Sequence, residues 1–281
     1  MTYQRKPEWL KTKLLSEAHF VQVNNIVKEH GLHTICASGR CPNMSECWNK
    51  GTATFMISGE ICTRACKFCN TLTGRPLPLD KDEPQKLAES IYLMKLKHAV
   101  VTSVDRDDLI DGGAAHWAET IRTIKKVNPT TTLEVLIPDF DGKTELIDLI
   151  IAEKPNIISH NLETVRRLTP KIRTKAKYDT SLKVLKYIAS QNIIAKTGIM
   201  LGLGETETEI FALMDDALAS NCSILTIGQY MQPSRNNVEV SEYITPRKFE
   251  EYKLIGLEKG FKIVESGPLV RSSYGAEKHI F

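Results

Sequence analysis

Long apolar runs are missing from this sequence. None approaches the roughly 18 residues that a membrane-spanning helix requires, so no membrane association is expected. An excess of one charge is missing too: 37 Lys and Arg stand against 34 Asp and Glu, a net charge of +3. That balance argues against the concentrated basic face of a nucleic-acid binder, and no nucleic-acid partner is expected. Low-complexity and linker segments are also absent, and 42% hydrophobic with 25% charged residues is ordinary globular composition. The first seven residues are basic without a following apolar stretch, unlike a secretory leader. A cytoplasmic location is therefore expected. The 281 residues fit two small domains or one α/β barrel of about 200–250 residues.

What the sequence does have is clustered cysteine. Six of its seven cysteines lie within 36–69, and the seventh, Cys222, is far away. In a reducing compartment disulfides are disfavoured, so metal binding explains the cluster better. The six divide into Cys36-x4-Cys41-x5-Cys47 and Cys62-x3-Cys66-x2-Cys69. Zinc sites collect four ligands, often as two C-x2-C knuckles, and neither triplet contains two. His30 and His33 are available as a fourth ligand, which keeps a structural zinc loop open. Iron–sulfur clusters take thiolates, often three close together in sequence. Three thiolates leave one iron open, and an open position is what catalysis uses.

The second triplet, with Phe68 before its last cysteine, resembles the signature of the radical S-adenosylmethionine enzymes. That resemblance implies a [4Fe–4S] cluster on Cys62, Cys66 and Cys69. The open iron would bind the amino acid end of S-adenosylmethionine, and one electron would split the sulfonium to give a 5′-deoxyadenosyl radical. His33-Thr34-Ile35-Cys36 followed by Cys41-Pro42-Asn43-Met44-Ser45-Glu46-Cys47-Trp48 resembles the N-terminal motif of the lipoyl synthases. Gly267-Pro268-Leu269-Val270-Arg271-Ser272-Ser273-Tyr274 resembles their closing motif. The likeness also covers Lys6–Lys11, Val104–Leu109, Ser159–Thr164, Lys196–Glu205 and Gly228–Ser234, nearly the whole chain. It implies a second [4Fe–4S] cluster, held by Cys36, Cys41, Cys47 and an unusual serine ligand, Ser273. Two stretches depart from the family pattern. Ala37-Ser38-Gly39-Arg40 replaces a commonly acidic stretch, and Asn236-Asn237 stands where histidine is usual.

Hydrophobic periodicity places strands at 52–57, 98–103, 133–137, 157–159, 193–200 and 224–230. Helices are expected at 86–95, 114–127, 144–152, 181–189 and 206–219, the last opened by a Thr206-x-x-Glu209 capping box. Six strands alternating with helices imply parallel pairing and right-handed crossovers. The expected fold is α/β, a partial (β/α)6 barrel resembling the TIM type. Residues 1–51 form an N-terminal extension, 52–264 the barrel, and 265–281 a C-terminal segment that supplies the serine.

Active sites of such barrels lie at the carboxyl ends of the strands. Ser103, Asn161 and Gly202 follow apolar runs there. With the resemblance, Ser103, Asp105, Asn161, Glu163, Arg173, Gly202 and Gly204 become candidate contacts for S-adenosylmethionine, with Arg173 suited to its carboxylate. The blander alternatives are a helix near Leu162 capped by Asn161 and Glu163, a solvated Arg173, and glycines that ease a turn. Arg40, Arg64 and Lys67 read as solvated cations, and Cys222 as a small buried apolar residue.

Lipoyl synthesis replaces C–H bonds at C6 and C8 of an octanoyl chain by C–S bonds. No side-chain base removes such protons near neutral pH, whereas radical cofactors abstract the hydrogen atom. The resemblance implies two S-adenosylmethionines per product and sulfur drawn from the second cluster. A hard serine oxygen suits that cluster's loss, because such sites prefer soft thiolates. The implied partners are octanoylated lipoyl domains of 2-oxoacid dehydrogenase complexes and the glycine-cleavage H protein. A low-potential electron donor (ferredoxin or flavodoxin) and an iron–sulfur carrier protein are implied as well.

Overall fold

The computed structural model describes residues 5–11, 18–49 and 53–279. In chain order the strands are β1 (His33–Thr34), β2 (Thr54–Ile57), β3 (Ile61–Cys62), β4 (Leu72–Thr73), β5 (His98–Ser103), β6 (Thr132–Leu136), β7 (Ile157–Ser159), β8 (Ile194–Leu201), β9 (Ile224–Gln229) and β10 (Ile263–Gly267). Eight of them form one open sheet in the order β1-β2-β5-β6-β7-β8-β9-β10. Strand β1 pairs antiparallel with β2, and every later pairing is parallel. Helices between the strands give the alternation that a partial barrel needs.

All six expected strands are present within a residue or two of their expected bounds, although Thr52 lies outside the described residues. A seventh parallel strand, β10, corrects the count. Its sequence, Ile-Val-Glu-Ser-Gly, holds two apolar residues and no clear alternation, so period alone does not reveal it. It also crosses the 264/265 boundary, and a helix absent from the sequence expectation, Pro246–Lys259, leads into it with Thr245 as its cap. No helix begins near Leu162; the nearest is the single turn Thr169–Ile172.

The helices form because their apolar residues fall on one face. In Ala114–Val127, Ala114, Trp117, Ala118, Ile121 and Ile124 are buried at three- and four-residue spacing. Each large apolar side chain so buried contributes roughly 1.5–3 kcal/mol. Helix Glu207–Ala219 opens with the expected capping box between Thr206 and Glu209. Along the strands, Phe55, Val101 and Val135 face the helices. Their neighbours Met56, Thr102 and Leu136 line a central cavity, as the two-residue period of a strand dictates.

Candidate functional site

The short pair β3–β4 fastens both ends of the second cysteine loop, with Ile61 opposite Leu72 and Cys62 opposite Thr73. Backbone N–H groups of this loop and of the turn after β5 point toward sulfur. Arg64 and Asp105 donate to Cys62 Sγ at 3.4 and 3.3 Å, and Thr71 donates to Cys69 Sγ at 3.4 Å. Burial pushes the Cys62 thiol up to about 12, with the Asp105 carboxylate adding to the rise. Burial raises Cys66 in the same way. Thiolates here therefore need a strong positive partner, which iron supplies on binding.

Arg64 is buried, which corrects the expectation of a solvated cation; Lys67 and Arg40 are exposed as expected. The Arg64 guanidinium makes a two-point pair with Asp107 at 2.8 and 2.9 Å and reaches Asp139 at 2.8 Å. Asp105 lies 3.3 Å away. Lys175 adds a second cation, 2.8 Å from Asp107 and 3.1 Å from Asp141. This hub ties the cysteine loop to the ends of β5 and β6, and spacing gave no sign of it.

All three cysteines line a cavity of about 570 Å³ with Ser103, Asp105, Asn161 and Glu163. Ser103 Oγ accepts from Trp117 Nε1 at 3.2 Å. Asn161 donates from Nδ2 to Glu163 Oε1 at 3.1 Å, while its Oδ1 is buried with no partner. Asn161 lines the cavity, and a buried acceptor left without a partner beside it fits a ligand that brings a hydrogen-bond donor. Glu163 holds a positive φ of +66° and its acid is raised by burial.

Three candidates lie elsewhere. Arg173 is buried behind the lining, with Nη1 donating to Ser181 Oγ at 2.9 Å. Gly202 and Gly204 both hold φ of +98°, and a Cβ at Gly202 would sit 2.3 Å from Gln229 Nε2 and 2.4 Å from the Glu242 carbonyl oxygen. The close approach at Gly202 is thus to the protein's own chain, not to the cavity. Cys222 is buried as expected, its Sγ bonded to the carbonyls of Ala195 and Ile224.

Cys36, Cys41, Cys47 and Ser273 line a second cavity, of about 700 Å³. The C-terminal segment reaches it across β9, where Gly228 permits the crossing: a Cβ there would lie 2.1 Å from the Val270 carbonyl oxygen. Asn43 Nδ2 donates to the Leu269 carbonyl at 2.6 Å, and Thr54 Oγ1 donates to Ser273 Oγ at 2.8 Å. Ser272 faces the first cavity instead, so adjacent serines serve different sites. Arg271 lines both cavities, and its charge opposes the burial of the Cys41 thiolate.

The donor sets fit clusters better than single ions. Among the described residues no three His, Cys, Asp or Glu side chains are placed to hold one metal ion. A four-iron cluster gives each thiolate its own iron and does not ask for such convergence. None of the seven cysteines is in a disulfide. Among the described residues no helix is long and apolar enough to cross a membrane.

The radical SAM superfamily matches residues 56–217. Two solved structures share the fold. Streptococcus suis SuiB bound to S-adenosylmethionine aligns with a TM-score of 0.60 at 11% identity, over 79% of this chain and 54% of that one. The hydrogenase maturase HydG gives 0.61 at 12%, over 81% and 61%. In sequence, the chain is 65% identical to the lipoyl synthase of Parabacteroides distasonis over 276 residues, 98% of each protein. It is 65% identical to that of Phocaeicola vulgatus over 280 residues, 100% of this chain and 99% of the relative. Likeness of that extent reaches both cysteine triplets and the terminal serines, and by it the chain belongs to the lipoyl synthase family of radical SAM enzymes.

Proposed function

We propose that this chain inserts sulfur at C6 and C8 of an octanoyl group carried on a protein lysine, with Cys62, Cys66 and Cys69 holding the cluster that works with S-adenosylmethionine. Cys36, Cys41, Cys47 and Ser273 hold the second. When bound, the first cluster and S-adenosylmethionine supply hydrogen-atom abstraction, and the second cluster supplies sulfide. The observation that carries this reading is the pair of cavities, one lined by each ligand set and both by Arg271.

The chain's own residues bind, orient and exclude water. Asn161 Oδ1 accepts a donor of the cofactor, with Ser103, Asp105 and Glu163 around it. Arg173 contributes positive charge from behind the lining, favouring ionised Glu163. Gly202 and Gly204 shape the turn after β8. Met56, Leu136 and Met200 give the first cavity apolar walls, which suit an octanoyl chain.

The substrate proteins are octanoylated lipoyl domains of 2-oxoacid dehydrogenase complexes and the glycine-cleavage H protein. Ferredoxin or flavodoxin supplies electrons, and an iron–sulfur carrier rebuilds the spent cluster. The cytoplasm suits a protein that needs six ligand thiols reduced.

The test uses anaerobic protein whose clusters alone carry labelled sulfide, with an octanoyl-lysyl peptide. Cys66→Ala should form no 5′-deoxyadenosine. Cys41→Ala should still cleave S-adenosylmethionine and make no dihydrolipoyl product. Unlabelled sulfur in the wild-type product, or product from Cys41→Ala, would overturn the donor assignment.

A further inference from the structure

Segment 232–238, which follows β9, touches both cysteine loops without supplying a ligand to either. Asn237 Nδ2 donates to the carbonyls of Cys69 at 2.8 Å and Lys67 at 3.2 Å. The Val238 N–H donates to the same Lys67 carbonyl at 3.0 Å. Ser234 Oγ donates to Asn237 Oδ1 at 2.7 Å, which fixes the amide with its N–H end toward the loop. Gln232 Nε2 donates to the Asn237 carbonyl at 2.8 Å and stiffens the turn.

The other side of the segment holds the first loop. Arg40, between Cys36 and Cys41, donates from Nη1 to the Pro233 carbonyl at 3.1 Å. Asn70 Nδ2 closes the triangle by donating to the Ser38 carbonyl at 2.8 Å. Side-chain donors thus join 38–40, 67–70 and 233–237 pairwise.

From these contacts we infer that the segment is a clasp that sets one cysteine loop against the other, with Asn237 as its positioning residue and Arg40 as its second hold. The inference rests on the reading of both loops as cluster loops. A radical formed at one site must meet a carbon poised at the other, and displacement of about 1 Å in such an arrangement costs about 100-fold. An amide suits the post because it offers two N–H donors to two carbonyls. A carboxylate of the same shape would offer none and would repel both.

The decisive variant is Asn237→Asp in the holoenzyme, compared with Asn237→His, which restores one N–H donor. Two quantities are read: 5′-deoxyadenosine formed per dihydrolipoyl product, and the magnetic interaction between the two reduced clusters. Asn237→Asp should raise the ratio about tenfold, at the lower end of losses seen for groups that orient metal ligands, and should change the spin interaction. Asn237→His should recover part of both. Arg40→Ala, at an exposed side chain that folding tolerates, should shift both in the same direction by less.

A ratio and a spin interaction within twofold of wild type in Asn237→Asp and Arg40→Ala would overturn the clasp. If Asn237→Asp does not fold, Arg40→Ala decides alone. Wild type lacking two clusters or failing to make product would overturn the functional reading itself, a result distinct from active but indistinguishable variants.

Discussion

Around Cys62, Cys66 and Cys69 the protein supplies ions and backbone N–H groups; around Cys36, Cys41 and Cys47 it supplies mainly apolar packing. The second loop is fastened at both ends by β3–β4 and underpinned by the Arg64 hub with Asp105, Asp107 and Asp139. The first lies on two short helices, Ile35–Ser38 and Met44–Asn49. Cys36 and Trp48 belong to the main apolar core there, and Trp48 packs on Phe20 with ring centres 5.1 Å apart. Its serine comes from a different part of the chain, the C-terminal segment. The difference matches the two roles proposed for the loops: the loop proposed to hold the cluster used repeatedly sits in a braced frame, whereas the site proposed to give up sulfur takes its serine from a separate strap.

Replacing the strap's serine tests that division with the largest expected effect. Ser273→Ala should reduce dihydrolipoyl product to background while 5′-deoxyadenosine still forms. Ser272→Ala should be milder, because Ser272 faces the other cavity. Equal, near-normal yields from both variants would remove Ser273 from the ligand set.

Breaking the frame comes next. Arg64→Ala leaves Asp139 buried and Asp105 close by without their cation, while Asp107 keeps only Lys175. Loss of one partner from a buried ion pair costs about 3–5 kcal/mol, measurable by urea unfolding. Exposed Lys67→Ala should stay within about 0.5 kcal/mol of wild type. A hub variant as stable as the surface variant would show that the ions do not brace the loop.

The sequence makes the two cysteine triplets readable because their spacing is local, and the barrel readable because β5 and β7 are short continuous apolar runs and Ala114–Val127 carries a helical period. It hides what depends on long-range meeting. Arg64 resembles a surface cation until the chain brings Asp107 and Asp139 to it. Asn237 stands out only as a departure from a family pattern, since Cys69, its partner, is far away in sequence. Arg173 and Gly202 are conspicuous by motif, yet lie outside the cavity because Ser181 and Gln229 occupy their surroundings.

The smallest effect concerns acid and the strap's far anchor. His279 is fully buried, its Nδ1 3.1 Å from Lys196 Nζ, and Lys196 also donates to Glu134 at 2.7 and 2.9 Å. A lysine ammonium has only donors, so His279 must be neutral with Nδ1 accepting. Burial first, then Lys196, His98 and Lys278, push its pKa down to about 3. An undocked histidine titrates near 6.5. The undocked segment therefore binds the proton better, so docking holds fully above about pH 6.5 and weakens as pH falls toward 3. At pH 5.5 the docking equilibrium should be about tenfold weaker than at neutrality. Hydrogen exchange, corrected for intrinsic rates, should show that loss of protection across 270–279, with residues 66–69 changing less. His279→Gln keeps an acceptor for Lys196 without a proton to gain, and should flatten most of the dependence. His98, lowered by burial in the same direction, accounts for what remains. An undiminished acid response in His279→Gln, or equal responses in strap and frame, would show that the anchor does not govern Ser273's segment.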